Sequence, residues 1–349
     1  MKLLLIALLL IGAGCSAVST SAPRPTYPPA PTQAATPVPL LLTPVSTPLP
    51  LPPLPPLSAS QSSKPLALRG EVLITANPDS DSLTVLDAAA GRVVTEIPLG
   101  GSPRTVALRD DGTQALVTLW DRRAVSIVDL DSRQARQIGD VCHMPFGVVT
   151  DDQRAFVSCF GDDQVAILDP DTGQVLYRVA VPDAPAGLAL SGSWLLVTHL
   201  YTGIVTVLNV ERTPFVVGSL NVDTDGELAR TIILAPDGRR AYIPQTRTGL
   251  ALISLQYMQD WFPVVSVLDV TRMTGDRDAR LTLSTFDQAA NMPSDAAFSP
   301  DGQVLYVTLE GSDAVMALDP LTSALLARIP VGAAPTGVWA TDSAVYVLN

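Results

Sequence analysis

Leu305-Tyr306-Val307-Thr308-Leu309 is followed closely by Val315-Met316-Ala317-Leu318-Asp319. Each run is rich in β-branched, aromatic and aliphatic residues and has the length of one short strand. Ser299-Pro300-Asp301-Gly302 stands before the first run, and Asp-Gly is a hairpin signal because Gly accepts positive φ. Before that turn lies a third apolar piece, Ala296-Ala297-Phe298, and after the second run comes a fourth, ending in Ile329-Pro330. The whole unit spans Pro293 to Val331.

Moving outward, the same unit returns. The run ending at Asp319 has counterparts ending at Asp87, Asp129, Asp169, Asn209 and Asp269, in steps of 42, 40, 40, 60 and 50 residues. Each is preceded by a copy of the Leu-Tyr-Val-Thr strand, as at Leu116-Val117-Thr118-Leu119-Trp120, Phe156-Val157-Ser158-Cys159 and Leu195-Leu196-Val197-Thr198-His199. Asp111-Gly112 and Asp237-Gly238 repeat the hairpin turn. The recurring Asp residues read as turn formers that bond their own backbone a few residues on. Four short antiparallel strands about every 40 residues define an all-β fold of repeated blades, a β-propeller, because one blade cannot bury both faces and a ring of them can.

These fragments resemble the YVTN-repeat family of β-propellers, over Val72 to Asn349, within a propeller domain expected to span residues 66–349. The resemblance implies blades whose first strand lines a central channel. The strand of the second type begins seven times, the last at Val345-Tyr346-Val347-Leu348-Asn349. A seven-bladed ring with an incomplete last blade is therefore expected. The alternative is a six-bladed ring in which residues 336–340 complete the first blade and 344–349 are surplus. Members of the family sometimes continue into a cytochrome c region, so haem is expected only on sequence beyond Asn349, and no cofactor within this chain.

The N-terminus has a different character. Lys2 and the apolar run Leu3 to Ile11 form a signal-peptide pattern over residues 1–14. Gly12-Ala13-Gly14-Cys15 resembles a bacterial lipobox, which implies a lipid on Cys15 and a membrane anchor outside the cytoplasm. Residues 15–65 follow as a stalk, with fifteen of the 31 prolines between Pro23 and Pro65. Proline at that density removes backbone donors, so a disordered, extended spacer is expected there.

Chemistry is sparsely signalled. A net charge of −12 disfavours nucleic acid as a partner. Two histidines, His143 and His199, lie in different blades, and no metal set, Gly-x-Ser-x-Gly elbow or Walker sequence occurs. No catalytic residue is expected. Cys142 and Cys159 close a hairpin whose ends meet, so in an exported protein they pair as a disulfide.

The expected site is one axial face, formed where first strands begin and second strands end. Arg104, Arg230, Arg247, His143, His199 and Asp295 fall on or beside its loops as a mouth for an anionic ligand. The step of 60 residues holds an insertion with Tyr257, Trp261 and Phe262, read as a recognition loop over the mouth. The expected function is a noncatalytic, monomeric scaffold, tethered by lipid, that binds a protein, glycan or small ligand. A redox accessory to a haem domain and a channel-metal hydrolase of the lactonase type, with Asp295 as a ligand, are the alternatives.

Overall fold

In the computed structural model the described residues are 61–151, 153–223, 226–248, 261–287 and 289–349. The leader, Cys15 and the stalk up to residue 60 lie outside them, as does Tyr257. The described part belongs to one compact unit.

Each repeat folds into one antiparallel sheet. The second repeat shows the pattern: Pro103–Leu108, Gln114–Leu119, Ala124–Asp129 and Gln134–Ile138 pair in sequence order. Burial falls outward across it, from an inner strand that is almost wholly buried to an outer strand that is largely exposed. Among the described residues there are six sheets of four strands or more and one two-stranded sheet, Gly337–Ala340 with Val345–Leu348. The first sheet has its own inner strand, Leu66–Arg69, paired with Val72–Asn77. Residues 336–340 therefore do not complete the first blade, and 345–348 are not surplus, because they pair with 337–340.

The sheets pack face to face in chain order. Five apolar clusters each join successive sheets; one unites Ile74, Leu83 and Val85 with Val106, Ala115 and Val117. The two-stranded sheet packs beside the first and sixth sheets. Trp339 packs on the cluster of the first two sheets, and a Cβ on Gly337 would lie 2.7 Å from Pro65.

The Thr or Ser of the second strand explains its recurrence. Each inner strand of the second, third, fourth and sixth sheets opens with Pro and then bulges, which leaves a buried N–H off the ladder. Thr118 Oγ1 accepts from Thr105 N (3.1 Å) and donates to Phe146 O of the next sheet (2.7 Å). Ser158 does the same between Gly147 N and Ala186 O (2.7 and 2.6 Å). Thr198 links Gly187 N to Ala229 O (2.9 and 2.7 Å). In the sixth sheet Thr308 accepts from Asp295 N at 2.9 Å, and Ser294 carries the bond on to Pro335 O at 2.9 Å. One hydroxyl thus satisfies a bulge and fastens the neighbouring sheet.

The turn residues behave as their types require. Gly112, Gly238 and Gly302 all hold positive φ, between 64° and 72°. Asp169 Oδ1 accepts from Asp171 N (2.8 Å) and Asp319 Oδ1 from Leu321 N (2.8 Å). The hydrogen bonds from Thr172 and Thr322, and then these backbone N–H bonds, hold the two carboxyls below the usual carboxylate range.

The expected start of the domain at residue 66 moves to Gln61. Gln61–Ser62 forms a strand on the inner strand of the fourth sheet, with Gln61 opposite Leu190 and Ser62 opposite Ala189. The chain then climbs through the channel. Thr150 N donates to Gln61 Oε1 (2.6 Å), and Leu188 N to Ser63 Oγ (2.9 Å). Val106 N donates to Lys64 O and Ala76 N to Pro65 O, both at 2.8 Å. Pro65 is the only proline in this short stretch, so its neighbours keep their donors and can pair.

Candidate functional site

Lys64 decides what the channel is. Lys64 is 4% exposed and its ammonium lies 3.0 Å from Oδ2 of Asp295, a residue that is 1% exposed. It also donates to Ala296 O. Asp295 Oδ2 accepts from Val338 N at 2.9 Å, while Oδ1 is buried with no hydrogen-bond partner among the described residues. Burial pushes the Asp295 carboxyl up and the Lys64 ammonium down, and their mutual attraction opposes both. A pair so enclosed closes the channel. It makes Asp295 the ion-pair partner of Lys64.

Above this floor is a cavity of about 340 Å³. Ser63 and Pro65 form part of its base, and its walls come from the starts of inner strands and the ends of second strands, on the expected face. Arg104, Arg230 and Asp295 line it together, as read from sequence. Arg230 is ion-paired with Glu310 across the mouth. Arg104 lies over the Trp120 ring, 5.0 Å from guanidinium carbon to centroid. Its Nε is buried and unpartnered among the described residues. Burial, and then the neighbouring Arg230, hold its pKa below the ordinary guanidinium value; Asp79 and Asp121 act in the opposite sense.

An aromatic file leads from the cavity across the face. Trp120 meets Phe146 edge-on (5.9 Å between centroids) and Phe160 at 5.1 Å, and Phe160 meets Tyr201 at 5.9 Å. These residues were not singled out from sequence, although a signal was there. Pro78, Trp120, Phe160, Leu200 and Glu310 each follow the same slot at the end of a second strand, and four of the five line the cavity.

The remaining candidates stand elsewhere. His199 is fully buried, with Nδ1 3.0 Å from Asp183 O and Nε2 2.9 Å from Thr206 Oγ1. It fills the slot held by Leu119 and Cys159 in the preceding sheets, and burial pushes its pKa down. It is a core residue and not part of the mouth. His143 is exposed and set beside Asp162, with Nδ1 to Oδ1 2.7 Å, and Arg123 contacts its Nε2. Neither this group nor Arg247 lines the cavity. Arg247 Nε pairs with Asp223 Oδ1 at 3.1 Å. The insertion is in part a strand extension: Arg240–Thr248 and Trp261–Asp269 pair along nine residues each. Phe262, 40% exposed, sits opposite Arg247 on this arm and away from the cavity lining.

Cys142 and Cys159 form the expected disulfide, with Cα atoms 5.7 Å apart. Among the described residues no group of three or more His, Cys, Asp or Glu stands together as a metal set.

Fold and site define a β-propeller of four-stranded antiparallel blades, with a filled channel and one open axial cavity. No protein-family model matches the chain, and no curated protein does. Solved structures do. Hydrazine synthase of Kuenenia stuttgartiensis superposes with a TM-score of 0.69 at 19% identity, over 89% of this chain and 98% of that one. The β-propeller domain of Cps50 (Swd1) from Myceliophteria thermophila gives 0.61 at 12% identity, over 84% and 95%. At these identities the likeness is one of fold alone.

Proposed function

We propose that this protein is an exported, lipid-anchored propeller of the YVTN type that binds a ligand, without catalysis, in its axial cavity. The two-stranded sheet is read as the inner half of a seventh blade. The observation that carries the reading is the cavity itself. Lys64 and Asp295 turn an open pore into a pocket with a floor, and Arg104 and Trp120 stand in its wall. Concave, mostly apolar recesses with a few converging polar groups are where small ligands bind. Gln61 pairs with Leu190, near the end of its inner strand, whereas the cavity is lined by the starts of inner strands.

A thermal-shift screen of the full chain against small ligands tests this. Hits should vanish in Trp120→Ala and Phe146→Ala proteins whose unliganded melting stays close to that of the parent. Hits that survive both substitutions would place binding elsewhere and end the reading.

A further inference from the structure

The cavity holds an unbalanced charge. Lys64 is matched by Asp295 and Arg230 by Glu310, which leaves Arg104 over. Among the described residues its side chain has the Trp120 stack and no hydrogen bond or ion pair. The surroundings of this cation are largely apolar: Ala76, Pro78, Pro103, Trp120 and Phe146.

Those facts restrict the ligand. A neutral molecule without an acceptor would leave a half-buried guanidinium with no hydrogen-bonding partner, which is costly. A dianion would set its second charge against Glu310 and Asp295, where the one further lining cation, Arg230, is already paired with Glu310. A guanidinium fork fits a planar carboxylate with two parallel N–H bonds. Trp120 and Phe146, nearly perpendicular at 79°, offer a face and an edge to a flat group. We propose that the cavity binds a monoanionic carboxylate carried on a flat apolar body, with Arg104 taking the carboxylate and Trp120 and Phe146 the ring. This assignment rests on the reading of the cavity as the functional site.

Phenylacetate, phenylacetamide and inorganic phosphate are the probes, titrated into the full chain and followed by the Trp120 indole N–H resonance, assigned through Trp120→Phe. The acid should bind tighter than about 1 mM and at least tenfold tighter than its amide, the loss expected for one charge-assisted contact. Arg104→Met should erase the difference between acid and amide, and Arg104→Lys should keep part of it. The acid–amide comparison needs no variant, so a poorly folding substitution cannot hide the answer. Equal affinity for acid and amide, both moving Trp120, would overturn the carboxylate and leave the cavity as a site. Phosphate competing as well as phenylacetate would overturn the apolar half of the assignment. No movement of Trp120 with any probe would overturn both the ligand class and the reading of the cavity.

Discussion

In the fourth sheet Thr198 reaches its neighbour through a hydroxyl; at the matching place in the fifth sheet stands Pro244, which has no hydroxyl to offer. The fifth sheet is held by a carboxylate instead. Asp223, 2% exposed, accepts from Ser266 Oγ, Arg247 Nε and Arg280 Nη1, each at 3.1 Å. The hydroxyl device is small, local and compatible with a regular blade. The ionic device draws on three separate segments and goes with an inner strand broken into Gly226–Glu227 and Ile233–Leu234. It also goes with a hairpin nine residues long on each side. The repeat therefore tolerates loss of its fastening residue where a buried carboxylate gathers nearby arginines.

Removing that carboxylate is the hardest blow to the comparison. Asp223→Ala leaves Arg247 and Arg280 without their shared acceptor and should cost about 3–5 kcal/mol, the usual price of breaking a buried ionic cluster. Hydrogen exchange should show protection lost along Arg240–Thr248 and Trp261–Asp269 first, with the second to fourth sheets intact. Uniform loss across all sheets would deny the fifth its separate fastening. Next in size is the third sheet, which adds a covalent tie. Replacing Cys142 and Cys159 by Ser opens a loop of 17 residues. Chemical denaturation should register about 3 kcal/mol lost on the loop-entropy estimate.

Thr198→Val sharpens the other side. It strands Gly187 N and Ala229 O in a buried interface and should cost about 1–3 kcal/mol. The same exchange at an exposed Thr, such as Thr213, should change little. The smallest effect is one of pH. Burial holds His199 below its ordinary value of 6.5, so the unfolded chain binds more protons than the folded one. Stability contributed by the neutral ring is then present above about 6.5 and is lost as pH falls below it. His199→Gln should flatten the decline between pH 7 and pH 5; an unchanged slope would assign it to other groups.

Much of this was legible because repeats make their own controls. Asp87, Asp129, Asp169 and Asp319 recur at one register, and each accepts from a backbone N–H two or three residues on. Cys142 and Cys159 could be paired because hairpin geometry brings them together. Arg104, Arg230 and Asp295 were found because the face follows from strand order alone. What escaped was non-local. Lys64 meets Asp295 across 231 positions of sequence, and nothing near Lys64 announces a partner. Leu66–Arg69 lacks the Asp-Gly turn that marks other inner strands, since its hairpin turns through Gly70. His199 misled because a polar residue in an apolar slot resembles a functional one until its satisfied partners are seen.

The threaded segment also fixes how the molecule would carry a mechanical load. A pull on the backbone at Gln61 is met first by the strand pair it forms with Pro185–Ser191. The load spreads at once to Thr150, Leu188, Val106 and Asp295, on four different sheets. Force entering at Gln61 is taken up from within the ring, like a pull on a cord knotted through a bead, and not at the edge of any one blade.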